Sequence, residues 1–73
     1  MKYQQLCTVL RDYLVEEKEI FPEDRLSADL GLCSFDMMVI IERIEELNEC
    51  HIDLSKIKKN MTVQDFYSII VNN

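Results

Sequence analysis

The residues best placed to do chemistry are Asp29-Leu30-Gly31-Leu32-Cys33-Ser34-Phe35-Asp36, a glycine-containing turn that leads into a long amphipathic helix with one serine at its mouth. The start of a helix leaves several backbone N–H groups without partners and carries a partial positive charge. A phosphate attached at Ser34 would be stabilised there. The serine therefore reads as an attachment point and not as a nucleophile; its plain alternative is a simple N-cap, a role serine fills commonly.

Other reactive side chains make weaker sites. Cys33 adjoins the helix start, where thiol pKa values fall, but a thiol enzyme also needs a base and an orienting partner. The one histidine, His51, lies at the predicted far end of the same helix, about seventeen residues or roughly 25 Å away. Cys50-His51 places two potential metal ligands side by side, where they point in different directions, and no second pair at metal-site spacing accompanies them. Neither a catalytic residue nor a metal site is expected. Cys7 reads as a small core residue.

Periodicity supplies the elements that position Ser34. Tyr3, Leu6, Cys7, Leu10, Tyr13 and Leu14 recur at three- and four-residue steps, which predicts a first helix over residues 2–17, ended by the charged run Glu16-Glu17-Lys18-Glu19 and by Pro22. Residues 18–33 form a long connection with the chain's one proline and one glycine. Loops of this length in a small domain are often functional, and Ile20, Phe21, Leu26, Leu30 and Leu32 should pack this one down. A second helix is predicted from Ser34 to about Cys50, its stripe formed by Met37, Ile40, Ile41, Ile44 and Leu47. Phe35, Met38 and Val39 fall partly off that stripe, either packed under the long loop or forming an apolar patch for a partner. Asp53 or Ser55 is placed to cap a brief helical turn through Ile57 and Lys59, and Thr62 to cap a last helix with Val63, Phe66, Tyr67, Ile69 and Ile70 on its buried side. With no strand signal, the expectation is an all-α four-helix bundle of three longer helices and one short one, a single domain over residues 1–73.

Composition narrows the function. A core built from 73 residues is small, which disfavours a deep enclosed active site. Fourteen acidic residues against eight basic ones give a net charge of −6. Without a basic patch nucleic acid is an unsuitable partner, whereas an acidic surface suits basic protein partners. Three cysteines without CxxC spacing argue for a reducing compartment, and no apolar run is long enough to span a membrane, so no membrane is expected as a partner. A soluble cytoplasmic monomer is expected.

The stretch from Asp29 to Asp36 resembles the attachment motif of acyl carrier proteins, usually Asp-Ser-Leu preceded by an acidic residue, leucine and glycine. Asp29, Leu30, Gly31, Ser34 and Asp36 match in register, while Cys33 and Phe35 replace the usual aspartate and leucine. Glu45 and Glu46 fall where that family carries acidic residues on its recognition helix, and the Ile52 region and Thr62-Val63-Gln64 resemble its later connector and last helix opening. Helix one matches only in pattern. The resemblance implies the fold named above and a protein that is not an enzyme. Ser34 would bear a 4′-phosphopantetheine arm, transferred from coenzyme A by a phosphopantetheinyl transferase, and the arm would carry thioester-bound acyl groups between enzymes of fatty-acid, polyketide or other specialised biosynthesis. Gly31 and Asp29 would shape the cofactor's approach. Asp36, Glu42, Glu45 and Glu46 would present charge to basic patches on those enzymes, with Phe35 and Met38 adding apolar contacts.

The departures have consequences. Cys33 is a poor cap, leaving part of that work to Ser34, and a transferase that reads the usual aspartate should act more slowly. Val39 and Glu42 also differ from the arrangement typical of fatty-acid carriers, which implies a specialised partner surface. Two alternatives stay open, an aminoacyl or peptidyl carrier and an unmodified helical interaction module that uses the same acidic, partly apolar helix.

Overall fold

Three helices and one helical turn follow in order: α1 (Tyr3–Arg11), α2 (Ser34–Asn48), a 3₁₀ turn (Leu54–Lys56) and α3 (Val63–Val71). The structure, a computed structural model, describes residues 1–58 and 60–72. Among them there is no strand, only an isolated antiparallel bridge between Arg25 and Thr62, so the chain is all-α. Its radius of gyration is 11.0 Å, about that of a compact chain of this length.

α1 buries Leu6, Cys7, Val9 and Leu10 but stops six residues before the end that its periodicity predicts. The N–H groups of Asp12, Tyr13 and Leu14 reach back only three residues, to Val9, Leu10 and Arg11, a tightening that closes the helix. Tyr13 and Leu14 still pack against the core, which explains why their spacing extends the helical pattern past its end. Asp12, at the closing turn, accepts a 2.7 Å bond from Arg43 of α2.

α2 begins at Ser34 as expected and buries Ile40, Ile41 and Ile44. Leu47, placed on the same stripe by its spacing, is instead 61% exposed near the end of the helix. The helix closes on Glu49 in the left-handed region at φ 49.

The long loop is packed down by Ile20, Leu26, Leu30 and Leu32, all buried, whereas Phe21 points outward. Hydrogen bonds tie this loop to the entry of α3: Leu26 N–H to Met61 O at 3.0 Å, Val63 N–H to Asp24 O at 2.9 Å and Gln64 N–H to Pro22 O at 3.0 Å. Asp53 caps the 3₁₀ turn, accepting from Ser55 N–H at 3.0 Å. The sequence carries that turn to Lys59, which lies outside the described residues; the turn itself closes at Lys56.

α3 buries Val63, Phe66 and Ile70, with Tyr67 and Ile69 packed at the core's margin. Phe66 is among the fully buried side chains together with Leu6, Leu10, Leu26, Ile40 and Ile44, and truncating such a phenylalanine to alanine costs about 3–5 kcal/mol. Tyr67 meets Tyr3 edge to face at 5.5 Å, tying α3 to α1. The Tyr3 hydroxyl is buried without a hydrogen-bond partner among the described residues. Burial, and then the neighbouring Cys7 thiol, push its pKa up to about 12.

Candidate functional site

Ser34 is delivered to the surface by the turn before it. Asp29 Oδ2 accepts the Arg25 N–H at 2.7 Å, and the N–H groups of Leu30 and Gly31 bond to Arg25 O and Ser27 O. Gly31 then adopts φ 69, a left-handed conformation that glycine enters without steric cost. Leu30 and Leu32 on either side are buried, so the glycine reverses the chain between two anchors and leaves Cys33 and Ser34 exposed. The Asp29 side chain thus closes the turn, while its own carbonyl accepts from Lys18 Nζ at 3.1 Å.

The N-cap of α2 is Cys33, and Ser34 is the first helical residue. This corrects the expectation that serine must share the capping. Cys33 Sγ lies over the N–H of Asp36 but makes no cap hydrogen bond, as befits a weak acceptor. Capping runs the other way: Asp36 Oδ2 accepts from Cys33 N–H at 3.1 Å and from its S–H at 3.2 Å. These bonds, the backbone one foremost, hold the Asp36 carboxyl below the usual carboxylate range. The first helical hydrogen bond runs from Met37 N–H to Cys33 O. The N–H groups of Ser34, Phe35 and Asp36 precede it and have no helical carbonyl to bond. A hydroxyl that neither caps nor packs therefore stands at the positive end of a fifteen-residue helix.

A groove of about 570 Å³ opens beside this serine, within the size range of small-molecule sites. Its walls come from the loop, from α2 and from the connector between α2 and α3. Apolar side chains dominate it: Leu32, Met37, Met38, Ile41, Leu54 and Ile57. The sequence singled out Ser34 but carried no sign of this groove. The connector contributes Leu54, 64% exposed, and Ile57 to its wall.

The remaining candidate residues differ in placement. Phe35 and Met38 are 72% and 68% exposed, so neither packs under the loop, and Glu42 and Glu46 are exposed further along α2. Glu45 is turned inward. Its Oε2 accepts the Ile52 N–H at 2.7 Å and lies 3.2 Å from His51 Nδ1, fastening the connector to the end of α2 just before the fully buried Ile52. Phe35, Glu42 and Glu46 therefore form an outward set, Met38 stands exposed at the groove's edge, and Glu45 fastens the connector.

Among the described residues, no three His, Cys, Asp or Glu side chains are grouped to hold a metal ion, and no helix is long and apolar enough to cross a membrane. The chain matches no protein-family model, no curated protein and no solved structure.

Proposed function

We propose that the chain is an acyl carrier, modified on Ser34 with 4′-phosphopantetheine and adopting a carrier-type four-helix bundle. The observation that carries the reading is a serine hydroxyl left exposed and unused at the start of α2, with the cap closed by Cys33 and Asp36 instead. On attachment Ser34 Oγ forms a phosphate ester, releasing its proton to the transferase and the adenosine bisphosphate portion of coenzyme A as leaving group. A phosphodiester on Ser34 would be stabilised by the N–H groups of the first turn. Gly31 lets the backbone turn sharply enough to keep this position open. When bound, the arm supplies a thiol for thioester linkage of an acyl group.

The groove supports the same reading, since an apolar trough beside the attachment point suits an acyl chain. The outward residues of α2 suit partner enzymes with basic docking patches: Phe35 and Met38 offer apolar contact next to Ser34, and Glu42 and Glu46 offer charge. The test is direct. The protein is incubated with coenzyme A and a transferase of broad specificity, and intact mass is measured for the wild type and Ser34→Ala. The wild type alone should gain one phosphopantetheinyl group. No gain with several transferases would favour the unmodified interaction module, and a gain that survives Ser34→Ala would place the site elsewhere.

A further inference from the structure

The groove beside Ser34 has a polarity that its apolar floor does not require. In a chain with fourteen acidic residues and a net charge of −6, the described residues lining the groove include no carboxylate and one charged side chain, the cation Lys58. Lys58 takes part in neither ion pair found among the described residues. Its neighbour along the connector differs in this respect: Lys56 acts on Asp53, whose carboxyl is held below its usual range mainly by the Ser55 hydroxyl. The N-terminus of α2 also opens into the groove through Cys33 and Ser34, and Asp36 there is turned back onto Cys33. The trough is thus apolar along its floor and positive at its charged point.

We infer that the groove takes an acyl chain whose far end bears a carboxylate, with the hydrocarbon over Leu32, Met37, Met38, Ile41, Leu54 and Ile57 and the carboxylate paired with Lys58. This rests on the carrier reading and names its cargo class. An aminoacyl group would bring an ammonium toward Lys58 and the positive helix end. A plain fatty chain would use the floor and leave the lysine without a function. A carboxylate-tipped chain is matched at both, because a carboxylate entering an apolar site is costly unless a cation meets it.

The test compares two cargoes of equal length. The protein is loaded at Ser34 from octanoyl-coenzyme A or suberoyl-coenzyme A with a transferase of broad specificity, loading is verified by intact mass, and thermal unfolding is followed at low and high salt. Suberoyl-loaded protein should melt about 2–5 °C above the octanoyl form at low salt, the shift that one partly solvated ion pair supports in a domain of this size. High salt should narrow the gap. In Lys58→Met, an exposed substitution compatible with folding, the order should reverse, with the suberoyl form melting lower. Equal melting of the two wild-type forms, a higher octanoyl form, or a gap unchanged in Lys58→Met would each overturn the cargo assignment while leaving the carrier intact. Failure to gain mass from either thioester would remove the carrier reading and the cargo inference with it.

Discussion

α2 and α3 start from the same plan and finish it differently. Each has an aspartate three residues beyond its N-cap that bonds back to the cap N–H: Asp36 to Cys33 at 3.1 Å, and Asp65 to Thr62 at 3.4 Å. At α3 the exchange is reciprocal, because Thr62 Oγ1 accepts the Asp65 N–H at 3.1 Å. At α2 the cap is a sulfur that donates to the aspartate and accepts no cap hydrogen bond. One helix end is closed by a hydroxyl; the other meets its first-turn N–H groups with only a thiol, a weak acceptor, beside an exposed serine. A closed end serves the fold alone, whereas an end left open forgoes some stability and retains the means to hold an anion.

Five changes test this contrast. The largest effect is expected from Ser34→Ala, which should abolish modification in the mass assay yet change the urea-unfolding free energy by no more than about 0.5 kcal/mol, since the hydroxyl takes no part in the cap. A large loss of stability would show that the serine is structural. Gly31→Ala forces a β-carbon into the left-handed region at φ 69 and should cost about 1–2 kcal/mol, measured in the same titration. Thr62→Ala removes the accepting half of the closed cap and should cost about 1 kcal/mol, seen as a fall in Tm of about 4–8 °C. Cys33→Asp should act in the opposite direction, raising stability by about 0.5–1 kcal/mol and speeding modification by a transferase that reads an acidic residue there; if stability is unchanged, the two ends do not differ as described.

The smallest effect is one of pH. The folded-state pKa of Asp36 is depressed, so its contribution is complete above the ordinary carboxylate value of about 4 and is lost as pH falls through the lower folded value. Urea midpoints between about pH 5 and pH 2 should therefore drop less in Asp36→Asn than in the wild type.

The start of α2 and the Thr62 cap of α3 were readable because local spacing records a helix start, whereas the return bonds from Asp36 and Asp65 to their caps were not anticipated. Ile20, Leu26, Leu30 and Leu32 were readable as loop anchors because apolar residues crowd an otherwise polar connection. The end of α1 was not, since Tyr13 and Leu14 satisfy a helical period while packing from a turn. Glu45 read as one more partner-facing glutamate, and the structure corrects this by turning it inward. Its inward role depends on the path taken after Glu49 turns left-handed, which brings the Ile52 N–H within 2.7 Å. The groove escaped for a related reason: its walls come from segments distant in sequence, and periodicity within one helix contains no information about the facing wall.

The bonds from Leu26, Val63 and Gln64 join the loop to the start of α3 across about forty residues of chain, so each segment depends on the other for its place. Closing so long a loop carries an entropic cost that these contacts must offset. Residues 22–26 and 61–64 should exchange their amide hydrogens as one unit. The same junction fixes the far end of the turn that presents Ser34, so fraying of α3 at its entry would also loosen the mouth of α2.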